Sequence, residues 1–517
     1  MPALSRLSAG SGIVRGAKAL YRHAGRLAGA SAVCSFLARP ERSTALFNKS
    51  VAGRAVASAF DAATRTLKRL GVFLNRAIGE TFALWLLRWF AERFDAFFLL
   101  FVAAHALVPF ELYRNPYTIA ALAFLVFCAA ARVALVRSPS AVFSFKRADP
   151  VFLLYFLSVA LSGVYSMFGA GGGSASSTTS ALYLASIMFT FLIANAYHDR
   201  PRLMLLIRVI VAASAIVAAY GIYQYTRGIP IDVTQTDQTT GGASLAMGRA
   251  DSTLGNPNVL AAWLLLVIPF CVSLGFLAKN WLRKLFCAAI AATLAACLLL
   301  TQSRSGWVGL AVAAAVYVFL MDWRLIPLFA AAGALSVPFW PGFILDRLLT
   351  AGSDTSSVYR FTIYAGAFRM ALANWATGIG IGLEYFKRYI NNYVYFAYQT
   401  APVHSHMLPL QIWLESGIVA LLSFFWALGR LVKRGGAFIF AQKKQYRLKR
   451  PKPRLSLHSG AAGYESRMVL TACISAVAGF AVMGCFEYVW FFPRCMNHFF
   501  MIVGIFYCAA NLSETAS

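Results

Sequence analysis

The sequence predicts an all-α polytopic membrane protein with about twelve transmembrane helices and a long extracytoplasmic loop containing amphipathic helices. Hydrophobic residues make up 59% of the 517-residue chain and charged residues only 13%, whereas a soluble domain carries about 25% charged residues. Apolar runs of about 17–25 residues recur along most of the chain. The short alternating segments of an outer-membrane barrel do not occur. Helices are therefore the structure that satisfies the backbone in the bilayer.

Twelve segments are long and apolar enough to cross a bilayer. The first has the most charge at its start, where Glu92, Arg93 and Asp95 lie close together. The predicted spans are 94–112, 117–136, 150–168, 181–197, 203–226, 258–278, 285–301, 306–321, 325–344, 407–430, 468–490 and 498–511.

The loop charges predict the orientation of these spans. The basic segments are the N-terminal tail, 137–147, 198–202, 279–284 and 432–454, and all fall on one side if every span crosses. Basic residues collect in cytoplasmic loops, so that side is expected to be the cytoplasm, with both termini there. The same bias accounts for the formal charge of +28 without nucleic acid as a partner.

The span pattern divides the chain into four regions. The basic segment 13–38 has helical spacing and is interpreted as an amphipathic helix on the anionic leaflet, or as a disordered tail. The predicted regions are a basic cytoplasmic or interfacial part at 1–93, spans one to nine at 94–344, a large extracytoplasmic loop at 345–406, and spans ten to twelve at 407–511 with a basic cytoplasmic loop at 431–467.

Neither the cysteines nor the acids form a pattern typical of a metal site. Most of the cysteines lie inside apolar runs, as small buried hydrophobes do, and no CxxC pair occurs. Sugar transfer with a metal commonly needs paired carboxylates, but no DxD motif is present. We therefore expect no metal and no cofactor. The main acids of the outward loops are Asp232, Asp237, Asp251, Asp346, Asp354 and Glu384.

The loop at 345–406 is longer than ordinary connections, which suggests a functional element. Phe361, Tyr364, Phe368 and Leu372 recur at helical spacing and predict an amphipathic helix at the membrane surface. The stretch GIGIGLEYF follows it as a glycine-rich turn, without the strand or the GxGxxG spacing of a dinucleotide site.

Three separate segments on the predicted outer face carry polar groups that could form a site. Arg304 lies at a span end, Arg360 opens the loop helix, and His404 and His406 lie where the chain re-enters the membrane. Paired arginines suit phosphate oxygens, and a neutral histidine can accept a proton from a hydroxyl near pH 7. Individually, Arg304 could be a membrane anchor, Arg360 a partner of Asp354 or a lipid phosphate, and each histidine a helix-end residue.

These residues carry a family resemblance. STLGNPNVLAAWLLLVIPF, TQSRSGWVGL, YRFTIYAGAFRMALANWATGIGIGLEYF and HMLPLQIWLESGIVALL occur in the order seen in the O-antigen ligase/polymerase family of bacterial surface-glycan enzymes. The resemblance covers roughly 245–430. It implies an inner-membrane enzyme that takes a glycan from a polyprenyl-diphosphate lipid on the outer leaflet. The glycan passes to another glycan or a lipid-linked acceptor with inversion and without metal, and other envelope-glycan assembly proteins are possible partners.

The resemblance assigns catalytic roles to Arg304, Arg360 and His406 by their places in the family motifs. Met407 and Pro409 depart from the usual residues, as does Tyr364, where tryptophan is common. These departures leave open whether His404 shares or replaces the role of His406. Arg304, Arg360 and His404 are also expected to bind the diphosphate or glycan.

Two further elements have less specific roles. Asn256 and Asn258, in the GNPN element, are interpreted as holding the loop by bonding to its backbone, with direct sugar contact as the alternative. Glu415 is expected to orient the re-entry helix or the histidine, without a catalytic role.

The leading function is a metal-independent, inverting membrane glycosyltransferase, acting either as a polymerase or as a ligase. The alternative is a multi-span transporter or flippase for an envelope-glycan precursor or a small anion. That alternative would need charges near the middle of spans, and the candidates are Arg132, Arg208 and Glu487. A scaffold for polysaccharide assembly would leave the outward arginines and histidines unexplained.

Overall fold

The structure, a computed structural model, describes most of the chain. The described residues are 49–136, 149–168, 174–197, 199–229, 248–349, 355–396, 402–449 and 462–514. The amphipathic segment predicted at 13–38, the basic loop at 137–147, and the acids Asp232, Asp237 and Asp354 lie outside them.

In the described part of the chain, every regular element is a helix. Polar residues cap many of the helix starts, and proline often occupies the first turn, where its missing N–H has no cost. The helices are α1 Val51–Ala77, α2 Phe82–Glu92, α3 Phe94–Leu107, α4 Asn115–Leu135, α5 Pro150–Phe168, α6 Ser174–Ala196, α7 Arg200–Thr226, α8 Pro257–Leu277, α9 Trp281–Leu300, α10 Arg304–Asp322, α11 Ile326–Ser336, α12 Gly342–Leu349, α13 Thr355–Ala373, α14 Leu383–Ile390, α15 Leu408–Lys449, α16 Ala462–Gly484 and α17 Pro493–Glu514.

Ten helical runs among the described residues are long and apolar enough to cross a membrane. This confirms the predicted class, an all-α polytopic membrane protein. The runs are Asn115–Leu135, Pro150–Phe168, Ser176–Ala196, Arg200–Thr226, Pro257–Leu277, Trp281–Leu300, Arg304–Phe339, Leu408–Ala441, Gly463–Gly484 and Pro493–Glu514.

Two of the twelve predicted spans differ from these runs. The first is α3, with only 14 residues, because the chain turns at Val108 and Pro109. The spans predicted at 306–321 and 325–344 fall in one apolar run, Arg304–Phe339, which is broken at Asp322, where φ is −158° and ψ is 105°. The second of the two, α11, has only 11 residues. After that run the chain returns to the end where α10 begins, because Arg347 Nε of α12 donates to Gln302 Oε1 at 3.1 Å.

Contacts between connections define one end of the bundle, which we call the site end. The hydroxyl of Thr253 donates to the carbonyl of Ala106, and Arg494 donates to the carbonyl of Thr253. The backbone N–H of Ala250 donates to the carbonyl of Leu300. The end of α3, the end of α9, the start of α17 and the connection between α7 and α8 therefore meet there.

Ion pairs hold the opposite end of the bundle. Arg132 and Arg202 both pair with Asp95, and Arg430 pairs with Asp149 at 2.8 Å. Connections thus alternate between the two ends, as a multi-pass topology requires. The site end is the one predicted to face outward, and its side of the membrane stays a prediction.

The most buried helices of the bundle lie at the centre of the site end. The apolar windows of α8, α16 and α17 are 78%, 78% and 89% buried, whereas that of α9 is 17% buried. The start of α8, the end of α16 and the start of α17 therefore present their polar residues at the centre of the site end.

The loop between α12 and α15 has a small apolar core of its own. Ile363, Ala367 and Met370 on α13 pack with Phe386 on α14 and Leu414 on α15. The helix predicted from residues 361–372 is confirmed as part of α13. The opposite face of α13 is apolar but exposed at Phe361, Phe368 and Leu372.

Candidate functional site

The first feature of the candidate site is a break in the helix α15. Gly417 has φ 78° and ψ 176°, which no helix contains, so the first turns of α15 are separate from the rest. The N–H of Ile418 donates to the carbonyl of Trp375 at 2.9 Å, and the carbonyl of Leu414 accepts from Ile379. The loop thus supplies hydrogen bonds at the break.

Glycines allow this close approach. A Cβ on Gly417 would lie 2.1 Å from the carbonyl oxygen of Ala376, and one on Gly378 would lie 2.5 Å from that of Leu414. Both residues have positive φ, where a side chain is strained. The GIGIG stretch therefore inserts against the broken helix and fixes the short segment of α15 that follows the histidines.

The histidine turn precedes this short segment. His406 has φ 53°, an uncommon value for a residue with a side chain, and its N–H donates to His404 Nδ1 at 3.2 Å. The two rings lie 4.2 Å apart, and both residues are buried. His404 thus holds the backbone of His406.

A second set of hydrogen bonds anchors the turn to α15. Gln411 accepts from the N–H of Ser405 at 2.8 Å and donates to Glu415 at 2.9 Å. The hydroxyl of Tyr183 also donates to Glu415 at 2.6 Å. Glu415 therefore orients the histidine turn through Gln411, in line with the orienting role expected for it.

Glu487 is the centre of the site. Its Oε2 accepts from Asn258 Nδ2 at 3.0 Å and from Arg360 at 3.0 Å. Its Oε1 faces His406 Nδ1 at 3.4 Å. One carboxylate thus joins α8, the loop helix α13 and the histidine turn, and we call Glu487, Asn258, Arg360, His404 and His406 the Glu487 cluster.

The charges of the cluster follow from these contacts. Burial would raise the pKa of Glu487, but the Arg360 guanidinium and His406 outweigh burial and lower that pKa to about 2. Burial, and then the neighbouring His406, lower the pKa of His404 well below its usual value. Glu487 is therefore an anion, while His404 is neutral and serves as a hydrogen-bond acceptor.

Arg304 lies beside this cluster at the start of α10. Ser303 caps the helix by accepting from the N–H of Gly306, and Gln302 has φ 52°. Arg249 donates to the carbonyl of Thr301 at 2.8 Å. The SRSG turn thus places Arg304 at a half-buried helix end in a strongly basic surrounding.

The two asparagines of GNPN have different roles. Asn256 caps α8 by accepting from the N–H groups of Asn258 and Val259, which is the backbone role expected for it. Asn258 instead links Arg249, at 3.2 Å, to Glu487. Asn258 therefore belongs to the polar cluster rather than only to the loop.

The structure brings Arg360, His404, His406 and Asn258 into one cluster, with Arg304 on the adjoining turn. Sequence reasoning missed two members of this region, Glu487 and Arg249. Glu487 was placed inside a span predicted at 468–490, but α16 ends at Gly484. The sequence signals were the acid inside an apolar run and the nearby Pro493.

The charges considered for a transporter are not at mid-bundle positions. Glu487 lies in a connection, Arg132 pairs with Asp95 at the opposite end, and Arg208 is exposed on the surface of α7.

Among the described residues, no group of three or more His, Cys, Asp or Glu side chains is placed to hold a metal ion. Asp251, the acid nearest the GNPN turn, bonds with Gln224, and burial raises its pKa to about 6.

Comparison with known families matches part of the chain. Residues 289–425 match the sequence model of a family described as O-Antigen ligase, which confirms the predicted resemblance. The matched segment contains Arg304, Arg360, both histidines and Gly417, while Asn258 and Glu487 lie outside it. A comparison with curated proteins gave no match.

Proposed function

We propose that the protein is a membrane glycosyltransferase that moves a glycan from a polyprenyl-diphosphate lipid to a glycan or lipid-linked acceptor. The observation that carries this proposal is the Glu487 cluster, in which an arginine and a histidine from remote segments share one carboxylate. The family match adds the substrate class, since O-antigen ligases act on lipid-linked glycans. Both polymerase and ligase activities fit this arrangement.

The donor is expected to lie with its polyprenyl tail among the apolar helices and its diphosphate at Arg304 and Arg360. Both arginines are partly exposed, and their forked donors match phosphate oxygens. The acceptor hydroxyl then approaches the anomeric carbon from the face opposite the diphosphate.

Transfer is a single displacement with inversion. The acceptor oxygen forms a bond to the anomeric carbon while its proton passes to His406. The bond from that carbon to the diphosphate oxygen breaks, and the electron pair leaves with the diphosphate. The two arginines stabilise the departing charge, so that no general acid and no metal ion take part.

His406 is buried in this structure, so the acceptor reaches it only after a neighbouring side chain moves. Arg360 is the most exposed member of its ion pair, with 26% of its side chain exposed against 6% for Glu487. Movement of Arg360 toward a bound diphosphate would uncover the histidine. The donor is then expected to bind before the acceptor.

The expected location is the cytoplasmic membrane of a bacterium, with the site end outside and both termini inside. Lipid-linked glycans are assembled in that membrane, so the site would meet its donor at the outer leaflet. Other envelope-glycan assembly proteins remain candidate partners.

The test uses purified full-length protein in detergent with the labelled polyprenyl-diphosphate glycan pool from the source membranes. Wild type should release polyprenyl diphosphate and form a larger glycan product, and the His406→Ala protein should not. Arg369→Ala is the matched control, because Arg369 is an exposed arginine on the same helix as Arg360 and donates to the Tyr393 carbonyl at 3.5 Å.

The same proteins in liposomes separate transfer from transport. Movement of intact donor across the bilayer, with no cleavage of its diphosphate bond, would replace the proposed function with the transporter alternative.

A further inference from the structure

We propose that Glu487 is a positioning residue that fixes His406 for proton transfer, and that its ion pair with Arg360 breaks when the donor diphosphate binds. This inference rests on the proposed function. It assigns a role to a residue outside the matched family segment, and it predicts the order in which the base becomes active.

The first step is the orientation of His406. An ionised carboxylate can only accept hydrogen bonds, so the contact of Glu487 Oε1 with His406 Nδ1 requires the proton on Nδ1. The lone pair then lies on Nε2, which becomes the nitrogen that accepts the proton of the acceptor hydroxyl. A carboxylate behind a histidine also stabilises the imidazolium that forms.

The second step is the competition for Glu487. Arg360 and Asn258 both donate to Oε2. Before the donor binds, the negative charge of Glu487 is therefore balanced mainly by the guanidinium of Arg360. A diphosphate offers Arg360 more oxygens and more charge than one carboxylate does. When Arg360 turns to the diphosphate, Glu487 keeps its charge for His406.

Among the described residues around His406, few other charged groups could stabilise its imidazolium form as Glu487 does. Several titratable and charged groups of the described elements face the histidine turn. Glu487 and Tyr488 come from the connection after α16, Arg360 from α13 and His404 from the turn itself. Two more lie farther away, Glu415 of α15 behind Gln411 and Arg249 behind Asn258. Among these groups, the carboxylate of Glu487 faces His406 Nδ1 at 3.4 Å.

The consequence is a linkage between donor binding and the contact that assists His406. Before the donor binds, Glu487 divides its contacts between Arg360 and His406. After it binds, the carboxylate is left to stabilise the imidazolium that forms at His406, so proton transfer is assisted only when there is a glycan to transfer. The site would therefore not activate water efficiently in the absence of donor.

The experiment compares wild type, Glu487→Gln, Glu487→Asp and the control Glu384→Gln, all as full-length protein in detergent. Glu384 is an exposed acid of α14 at the same end of the bundle. Binding is measured with polyprenyl diphosphate that carries no glycan. Transfer is measured with the labelled lipid-linked glycan pool from about pH 5 to about pH 9, which spans the titration of imidazole.

The neutral variant should separate binding from chemistry. Glu487→Gln should bind polyprenyl diphosphate at least as tightly as wild type, because the competitor for Arg360 has lost its charge. Its kcat should fall about 10²-fold. Loss of the carboxylate that stabilises the imidazolium should move the acid limb of the kcat profile to lower pH.

The remaining variants decide the other outcomes. Glu487→Asp should keep the acid limb near its wild-type position at a reduced kcat, and it serves as the decisive variant if Glu487→Gln does not fold. Equal losses in binding and transfer with an unmoved acid limb would reduce Glu487 to a structural residue. Unchanged transfer by His406→Ala would instead reject the proposed function itself.

Discussion

Two buried polar clusters lie at the site end of the bundle, and they hold their arginines in opposite ways. In the Glu487 cluster, Arg360 is paired with a carboxylate and a quarter of its side chain is exposed. In the second cluster, Arg494 is 3% exposed and donates to the main-chain carbonyls of Thr253 and Val108. A carboxylate can be exchanged for another anion, whereas these carbonyls belong to the fold.

The surroundings of Arg494 complete that contrast. Its guanidinium carbon lies 3.8 Å from the ring centroid of Tyr113, and its own carbonyl faces His105 Nε2 at 3.2 Å. Among the described residues it forms no ion pair. We call Arg494, Tyr113, His105, Thr253 and Val108 the Arg494 cluster; it joins α3, α17 and the loop before α8.

This difference distinguishes an arginine that could bind a ligand from one that stabilises the fold. Desolvated cations need compensation in either case. Exposure and an exchangeable partner indicate binding, while burial against backbone carbonyls indicates a structural role. The predictions below test this distinction.

The largest effect is expected for the histidines. His406→Ala should lower transfer by about 10²–10⁴-fold while donor binding changes little, with a smaller loss at high pH, where more acceptor hydroxyl is ionised. Rates and binding of purified protein measure both. His498→Ala, which removes a ring stacked at 4.0 Å on Trp263, should lower thermal stability instead.

His404 provides a sharper control for the first prediction. His404→Asn retains an acceptor for the N–H of His406, so it should keep more activity than His404→Ala. Equal loss of transfer in His406→Ala and His404→Asn would mean that the assignment of the base is wrong.

Arg360→Ala should have the next largest effect. Loss of one preorganised charge contact costs about 2.7–4 kcal/mol, or about 10²–10³-fold in turnover, and donor binding should weaken as well. The Arg369→Ala protein should behave as wild type in both measurements. A wild-type affinity for polyprenyl diphosphate in Arg360→Ala would argue that the arginine only neutralises Glu487.

Substitutions of Arg304 should show whether donor binding needs only its charge or also the geometry of its guanidinium. Arg304→Ala should weaken donor binding and turnover, and Arg304→Lys should recover only part, because a point charge replaces a forked donor. Titration with polyprenyl diphosphate measures the recovery. Complete recovery by lysine would point to an anchoring role at the helix end.

Arg494→Ala should change stability rather than chemistry. Its loss leaves two buried carbonyls without their donor, at a cost of about 1–3 kcal/mol for each. The melting temperature should fall, while turnover per folded molecule and the affinity for donor stay unchanged. A specific loss of donor binding at normal stability would erase the distinction between the two clusters.

The smallest effect is expected for metal removal. The arginines supply the charge that a bound cation supplies elsewhere, so a chelator should leave the rate of transfer unchanged. Restoration by Mg²⁺ or Mn²⁺ of an activity abolished by chelator would contradict the arginine account.

Most of the helices could be predicted because the bilayer imposes strong rules on sequence, whereas the roles of the site residues stay predictions. A span needs a long apolar run, so most helix positions follow from hydropathy alone. Arg304, Arg360 and His406 were singled out as charged or titratable groups on the predicted outer face, and by their places in the family motifs.

Glu487 and Arg249 could not be assigned in this way, since their roles depend on tertiary contacts. Hydropathy continued through Glu487 to residue 490, and nothing local indicated that α16 ends at Gly484. The glycines of GIGIG were interpreted as a turn, because their contact with the break at Gly417 joins segments remote in sequence. The short DWR sequence, by contrast, was correctly predicted as a turn between two segments, because its charges interrupt an apolar run and Asp322 has an extended backbone.

The break at Gly417 has a consequence for engineering the protein. Residues 375–379 and 414–418 are interlocked through their backbones, so neither stretch can gain or lose a residue without displacing the histidine turn. A chimera that exchanges the loop to alter acceptor choice would need to transplant both stretches from the same parent. Crossover points are better placed within α13 or beyond Ile418 than anywhere between them.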